Sequence, residues 1–330
     1  MKKKILIFRT DRVGDLIVTC PVLLTIKEYL IDSELTIITS KKNNEYAKNL
    51  NFFNNIIQYP ESGLFNKLNF LYKLRKKKFD YIFIFDGKER SFICSFFINS
   101  NYKVAISTKI KSYHHIYKIK FFKFDDKEKL YEVFQKLLNY CEINTKITNY
   151  NFISKKKDNN FSKNIPITNY VHLHLDEKWF SDIYINSYTD IKPNYEEFTN
   201  FLNKISKNEN ILITTGIMNF YFLDRLKDNF FIKKSDQIYV KQNMNKSIYF
   251  IYKPSIFDIE SLMKNTKILI VCHGSLTHIA NHFDIKKIDI IEENKIRFYE
   301  SYTYYIKNYN YIFRKNFTEL KNNLLTFFKE

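Results

Sequence analysis

The fold of this chain follows from the stretch Ile5-Leu6-Ile7-Phe8-Arg9-Thr10-Asp11-Arg12-Val13-Gly14-Asp15. An apolar run that favours a β-strand ends at Arg9, a polar turn with one glycine follows, and an apolar helical pattern begins at Leu16. A strand that turns through a glycine into a helix leaves free backbone N–H groups at the strand's carboxyl end, where open parallel sheets bind ligands. The stretch therefore predicts the first strand and the first binding turn of an α/β protein.

Glycine is scarce in this sequence, and its positions mark further turns of the same kind. The 330 residues include only five glycines, whereas average usage is roughly 7%. Four of the five follow a continuous apolar run, as expected for parallel strands covered on both faces; they are Gly14, Gly87, Gly216 and Gly274. We therefore predict four tight turns at the carboxyl ends of parallel strands.

The order of the segments predicts two domains. Strands alternate with helices twice along the chain, which indicates two doubly wound α/β domains, at residues 1–160 and 161–330. Residues 151–166 are polar and lack periodicity, so we interpret them as the linker. Pro21 should kink the first helix or confine it to a first turn. The last amphipathic helix, with Thr318 as its N-cap, is a candidate to pack back on the first domain.

The composition favours an anionic partner without naming one. The net charge is +18, and residues 103–123 carry lysines among aromatics and no carboxylate, which suits an anionic acceptor or a lipid surface. The alternative is codon bias, since Lys, Asn, Ile, Phe and Tyr all have AT-rich codons. No module for specific nucleic-acid binding is present. Four cysteines without metal-ligand spacing, no signal peptide and no apolar run of membrane-spanning length predict a cytoplasmic protein with reduced thiols, peripheral to the membrane at most.

Asp15 is the candidate catalytic residue of the first turn. A carboxylate at the strand-to-helix junction can face a cleft and accept a proton from an attacking hydroxyl. The alternative is an N-cap, in which the carboxylate accepts a backbone N–H. The remaining turn residues that could contact an acceptor are Thr10, Asp11, Arg12 and Gly14.

Three stretches of the second half are candidates for binding a phosphate. The first of these stretches is a turn that opens a helix, and it consists of His273, Gly274, Ser275, Leu276, Thr277 and His278. An ordinary helix cap is its alternative, and a metal site through His278 and His282 is disfavoured because no acidic residue completes the pattern. Lys178 could reach a diphosphate, or it is a solvated loop lysine. Thr215 and Gly216 end a strand and could approach a ligand, or form a simple turn.

These blocks together resemble glycosyltransferase family 9, the ADP-heptose:lipopolysaccharide heptosyltransferases and their relatives. The residues that carry the resemblance are the first turn through Asp15 with Thr19 and Pro21 behind it, Thr215-Gly216, and the stretch from Leu262 to Ala280. The resemblance implies a GT-B fold, in which two Rossmann-like domains face each other across a cleft. The N-terminal domain would bind the acceptor and the C-terminal domain the nucleotide-sugar.

The resemblance also implies a mechanism. Asp15 would act as the catalytic base of an inverting transfer, without a bound metal and without a cofactor besides the nucleotide-sugar substrate. Histidine replaces the family's usual acidic residue at position 273, so the donor contacts there are expected to differ. The family's phosphate-binding lysine corresponds to Lys178 or, as the alternative, to Lys192. The predicted function is transfer of a heptose or similar sugar to a lipopolysaccharide or other surface glycan; the alternative is a catalytically silent GT-B scaffold.

Overall fold

Two sheets with one shared winding order organise the part of the chain that the structure describes. The computed structural model describes residues 2–150, 160–180, 188–243 and 246–328. The chain divides into a first unit of residues 1–155 with 300–305 and a second unit of residues 156–299 with 306–330. Most of the predicted linker, residues 151–159, lies outside the described residues. No helix of the described part is long and apolar enough to cross a membrane.

The first unit is built on a six-stranded parallel sheet with the order β3-β2-β1-β4-β5-β6. Its strands are β1 (Lys4–Arg9), β2 (Glu34–Thr39), β3 (Asn55–Gln58), β4 (Phe79–Ile84), β5 (Ser100–Ser107) and β6 (Lys120–Lys123). This is the winding order of a Rossmann fold, which reverses direction between the strands here numbered β1 and β4. Its topological switch point therefore lies at the carboxyl ends of β1 and β4.

Helices cover both faces of this sheet. They are α1 (Val13–Tyr29), α2 (Asn44–Lys48), α3 (Leu64–Arg75), α4 (Glu89–Phe96) and α5 (Leu130–Tyr140). Helix α1 continues through Pro21 for 17 residues and is not confined to its first turn. Phe70 of α3 and Phe92 of α4 belong to one apolar cluster with Leu6 and Ile82 of the sheet. Helices α3 and α4 therefore pack on the same face.

The second unit repeats the winding order and extends it. Its sheet has the order β14-β13-β12-β7-β8-β11-β10-β9, parallel from β14 to β11, with β10 and β9 antiparallel at one edge. The strands are β7 (Tyr170–Leu175), β8 (Ile211–Thr215), β9 (Ile232–Lys233), β10 (Ile238–Asn243), β11 (Lys246–Ile251), β12 (Thr266–Cys272), β13 (Lys286–Ile291) and β14 (Tyr309–Phe313). The switch point of this sheet lies between β7 and β12.

The helices of the second unit follow the predicted alternation. They are α6 (Tyr195–Ile205), α7 (Tyr221–Phe230), α8 (Ile256–Met263), α9 (Ser275–Ile279), α10 (Ile296–Thr303), which is divided between the units after residue 299, and α11 (Phe317–Thr326). The N-cap of α11 is Asn316, whose side chain accepts the N–H of Glu319. The prediction of Thr318 as the cap was wrong, because the helix begins one residue before it. Helix α11 packs against α6 and β14 of its own unit.

Candidate active site

Arg9 organises the turn at the first switch point. It is the last residue of β1, and its buried guanidinium donates to the carbonyl oxygen of Asp15 (2.9 and 2.7 Å) and to that of Phe85, which follows β4. The same group forms ion pairs with Asp11 at 3.2 Å and with Asp15 at 3.8 Å. Burial lowers the pKa of Arg9, but the surrounding carboxylates outweigh burial and raise it. The guanidinium thus fixes both ends of the turn while it carries a charge.

Asp15 lies at this turn with an accessible carboxylate. It is the third residue of α1, and one oxygen accepts the backbone N–H of Arg12 at 3.2 Å. The N-cap position itself belongs to Arg12, so Asp15 caps the helix from inside its first turn. Its side chain remains 43% exposed, so a hydroxyl group of a ligand can reach it. The structural and the chemical interpretations of this residue are therefore compatible.

Asp86 and Arg90, which the sequence did not single out as site residues, complete the first turn. Asp86 accepts hydrogen bonds from the backbone N–H and the hydroxyl of Thr10 (3.1 and 2.6 Å) and from Ser91 (2.7 Å). Arg90 donates to the carbonyl oxygen and to the hydroxyl of Thr10, both at 2.7 Å. Gly87, already marked as the end of an apolar run, was the signal that could have located both residues.

Asp11 is the carboxylate of this cluster whose burial is only partly compensated. Its Oδ1 atom is buried and has no hydrogen-bond partner among the described residues. Burial raises the pKa of Asp11 to about 7, although the nearby Arg9 opposes the shift. Tyr302, which belongs to the same unit, lies close enough to Arg9 and Asp15 for their charges to affect its pKa, which burial raises to about 12. Sequence reasoning missed Tyr302, because almost 300 residues separate it from the turn.

Lys178 occupies the switch point of the second unit. It follows β7, and its ammonium group donates to Asp176 (2.7 Å), to the carbonyl oxygen of His273 (2.9 Å) and to that of Cys272 (3.4 Å). Burial lowers the pKa of Lys178, but Asp176, Cys272 and Glu177 together outweigh burial and raise it, so the side chain is charged. A Cβ atom on residue 274 would lie 3.1 Å from the ammonium group, so glycine at this position leaves room for Lys178.

His273 is held in place by a buried carboxylate. Its Nδ1 atom lies 2.6 Å from Asp289, which is fully buried and also accepts from Thr277 (2.8 Å) and from the hydroxyl of Tyr309 (3.0 Å). No described residue forms a hydrogen bond with the Nε2 atom of His273, whose side chain is 13% exposed. Asp289 therefore orients the imidazole so that Nε2 is the atom left for a ligand.

The remaining predicted residues divide between the site and the core. Thr215 accepts the backbone N–H of Lys253 at 2.8 Å, so its hydroxyl is used within the fold. Gly216 donates to the carbonyl oxygen of Leu175 at 3.0 Å, and a Cβ there would lie 3.2 Å from the Cα of Asp176. Its role is close approach to the loop that carries Lys178.

In the turn at residues 273–278, only some of the residues predicted to bind phosphate are exposed. Leu276, Thr277 and His278 are buried, whereas Ser275 is partly exposed beside Gly274. Burial holds the pKa of His278 well below its ordinary value, so this imidazole is neutral. Lys192 lies in the loop before α6 and pairs with Asp190, and its side chain is 58% exposed. The structure therefore brings Lys178, and not Lys192, against His273.

Arg314, also missed by sequence reasoning, supports the Lys178 loop. It follows β14, is buried, and donates to the carbonyl oxygens of Lys178 and Thr189. Glu292 lies 3.3 Å from it and accepts the backbone N–H of Thr189 at 2.8 Å. The loop is thus held by a charged network whose members are far apart in sequence.

The lysines of residues 103–123 lie at both ends of the strands of the first sheet. Lys103, Lys118 and Lys120 line a cavity of about 450 Å³ at the amino-terminal ends of the strands of the first sheet. Lys109 and Lys111 follow the carboxyl end of β5, and Lys123 is the last residue of β6. The predicted basic segment is therefore divided between the two ends of the strands.

Within the described residues, no group of three or more His, Cys, Asp or Glu side chains could hold a metal ion.

Comparisons with known proteins agree with this architecture. No family model and no curated protein matches the sequence. Among solved structures, the chain is similar to the glycosyl transferase of family 9 from Veillonella parvula, with a TM-score of 0.71 and 13% identity over 99% of this chain and 89% of that chain.

Two further solved structures widen the comparison. Escherichia coli heptosyltransferase WaaC with ADP-2-deoxy-2-fluoro heptose is similar with a TM-score of 0.62 and 12% identity, over 99% of both chains. The UDP-GlcNAc 2-epimerase of Methanocaldococcus jannaschii in complex with UDP-GlcNAc and UDP has a TM-score of 0.51 and 14% identity, over 100% of this chain and 93% of that chain. The likeness is one of fold: it confirms the predicted GT-B class and the resemblance to family 9.

Proposed function

We propose that this protein is an inverting glycosyltransferase that uses a nucleoside diphosphate sugar. The observation that carries the proposal is the carboxylate of Asp15, accessible at the first switch point and fixed there by Arg9 and Arg12. In doubly wound folds the switch point is where ligands bind. The nucleotide-sugars named in two of the similar structures support this class of donor.

In the proposed reaction, Asp15 is the base. Its carboxylate takes the proton of an acceptor hydroxyl, and the oxygen of that hydroxyl attacks the anomeric carbon of the donor sugar. The new glycosidic bond forms as the bond from the anomeric carbon to the diphosphate oxygen breaks, and the electron pair leaves with the nucleoside diphosphate. A single displacement of this kind inverts the anomeric configuration.

In this proposal, Lys178 and His273 receive the leaving diphosphate. The ammonium of Lys178 is charged and held in place by Asp176 before any ligand arrives, so no reorganisation is needed as negative charge develops. The Nε2 atom of His273, oriented through Asp289, is the second candidate contact. We propose that these two groups replace a metal ion, with no cofactor other than the nucleotide-sugar, and that the acceptor is an anionic glycan or glycolipid.

The test is the release of nucleoside diphosphate from a panel of ADP-, GDP- and UDP-sugars in the presence of glycolipid acceptors. Asp15→Asn should lower kcat by about 10²- to 10⁴-fold, the usual contribution of a general base, and leave the donor Kd unchanged. Asp32→Asn, an exposed carboxylate in a turn of the same unit, is the matched control. Near-full turnover by Asp15→Asn would refute the mechanism.

The second candidate is a GT-B scaffold that binds a nucleotide without turning it over. The histidine at position 273, in place of the acidic residue usual in family 9, is the observation that favours it. The same panel separates the two functions. A nucleotide that raises the Tm by mass action, with no diphosphate released from any sugar of that nucleotide, would support the silent scaffold.

A further inference from the structure

The first unit carries an unusual share of the chain's exposed apolar side chains. Ten of the twenty large apolar residues that are exposed in the described part lie between residues 64 and 116. They fall on α3, on α4 and on the turn after β5, and they are Leu64, Phe65, Leu68, Tyr72, Ile93, Phe96, Phe97, Ile110, Tyr113 and Ile116. Codon bias raises the number of apolar residues everywhere, but it does not gather the exposed ones on one side of one unit.

Helix α3 shows the arrangement most clearly. Phe65 is 86% exposed, Leu64 70%, Tyr72 59% and Leu68 53%. Leu64, Leu68 and Tyr72 are four residues apart, so they lie on one side of the helix with Phe65 beside them. Only Phe70 and Leu74 are buried against the sheet. The helix therefore presents a second apolar stripe to solvent.

The residues around this stripe are cationic. No aspartate or glutamate occurs between Glu61 and Asp80, and this interval holds six cations: Lys67, Lys73, Arg75, Lys76, Lys77 and Lys78. At the amino-terminal edge of the sheet, Lys78 joins Lys103, Lys118 and Lys120 around the cavity of about 450 Å³. Helix α4 packs on the same face of the sheet as α3 and contacts the 3-10 helix at Ser112–Tyr117, which carries Tyr113 and Ile116.

We infer that this surface, the outer side of residues 64–78 with the exposed side chains of 93–118, docks on a bilayer that contains anionic lipids. Apolar side chains beside a dense cationic cluster match the two layers of a lipid surface, acyl chains below and charged headgroups above. A second copy of the chain would bring like charges together. A nucleic acid could stack its bases on Phe65 but offers no apolar layer for the aliphatic Leu64 and Leu68. The inference stands without the proposed reaction, because it concerns only where the first unit binds.

The experiment is co-sedimentation of the full chain with vesicles, in the absence of donor and acceptor. Wild-type protein should bind vesicles of phosphatidylcholine with about 30% phosphatidylglycerol, not bind pure phosphatidylcholine, and dissociate as salt screens the charges. Each Lys near an anionic surface contributes about fivefold to partitioning, so K76Q/K77Q should bind about thirtyfold more weakly. F65S/L68S should lose at least tenfold, because it removes the inserted side chains.

Matched variants test whether the surface is specific. I217S/Y221S removes two side chains of the second unit that are both 82% exposed, and K233Q/K234Q neutralises two adjacent exposed lysines; both should bind like wild type. Circular dichroism verifies the fold of every variant. The inference is wrong if neither test variant binds more weakly than its control, if phosphatidylcholine alone binds equally well, or if the wild-type chain does not sediment with anionic vesicles.

Discussion

The ionisation of Asp11 should destabilise the first unit as the pH rises. Its carboxylate is 16% exposed, one oxygen has no hydrogen-bond partner among the described residues, and Asp15 and Asp86 add negative charge nearby. The guanidinium of Arg9 at 3.2 Å offsets only part of this cost. Burial therefore raises the pKa of Asp11 from 3.8 to about 7 in the folded chain.

The sign and the size of the effect follow from linkage. The folded state holds the proton of Asp11 more tightly than the unfolded state, so this contribution to stability is complete below about pH 4 and is lost as the pH rises through 7. A pKa shift from 3.8 to about 7 corresponds to about 4 kcal/mol. Asn is a neutral mimic of the protonated carboxyl group and does not titrate. Asp11→Asn should therefore match wild type near pH 4 and become more stable than wild type by up to about 4 kcal/mol at pH 8.

The assay is urea unfolding at several pH values between 4.5 and 8.5, followed by far-ultraviolet circular dichroism. The single tryptophan, Trp179, is buried in the second unit, so its fluorescence reports that unit separately. Asp32→Asn, an exposed carboxylate of the first unit, should show no such trend. If wild type instead gains on Asp11→Asn as the pH rises, the pairing with Arg9 outweighs burial, and the reasoning is refuted.

Two further predictions concern the second unit. Lys178→Ala should raise the Kd for the nucleoside diphosphate at least tenfold by calorimetry, because a charged, preorganised ammonium is lost, whereas Lys192→Ala should change the Kd less than twofold. An unchanged Kd in Lys178→Ala would move the phosphate contact to Lys192. Arg314→Met should destabilise the second unit by about 3–5 kcal/mol, the cost of leaving a buried charge such as Glu292 unpaired, measured by Trp179 fluorescence in urea. Lys315→Met, whose side chain is 39% exposed, is the control, and a similar loss there would contradict the role of Arg314.

The sequence was sufficient for the central strands because they are buried on both faces. Residues 5–8 are fully buried in β1, as a continuous apolar run predicts. Strands β14 and β10 were missed for the opposite reason. Strand β14 (Tyr309–Phe313) is only partly buried, and β10 (Ile238–Asn243) ends in polar residues, so neither leaves an apolar run to recognise. Their place in the sheet is set by their neighbours rather than by their own residues.

The site was predicted where one turn contains its residues, and missed where the sheet brings distant turns together. Asp15 and His273 lie in turns that a glycine marks. Asp86 reaches Thr10 only because β1 and β4 are paired in parallel, with Phe8 opposite Ile84. The partner of His273 is Asp289 on the neighbouring strand β13, and Arg314 lies 136 residues from the carbonyl group that it binds. Such contacts depend on strand order and register, which local patterns do not encode.

The presence of arginine rather than lysine at the two switch points indicates that codon bias did not produce these turns. The chain has 53 basic residues, of which only seven are arginines. Three of these seven, Arg9, Arg90 and Arg314, donate to backbone carbonyl oxygens of other segments in the turns at the switch points. Lysine supplies the same charge but not the planar fork that binds several oxygens at once. In a chain that otherwise uses lysine, arginine therefore remains where the geometry of a turn requires it, and the two turns that hold Asp15 and Lys178 are such places.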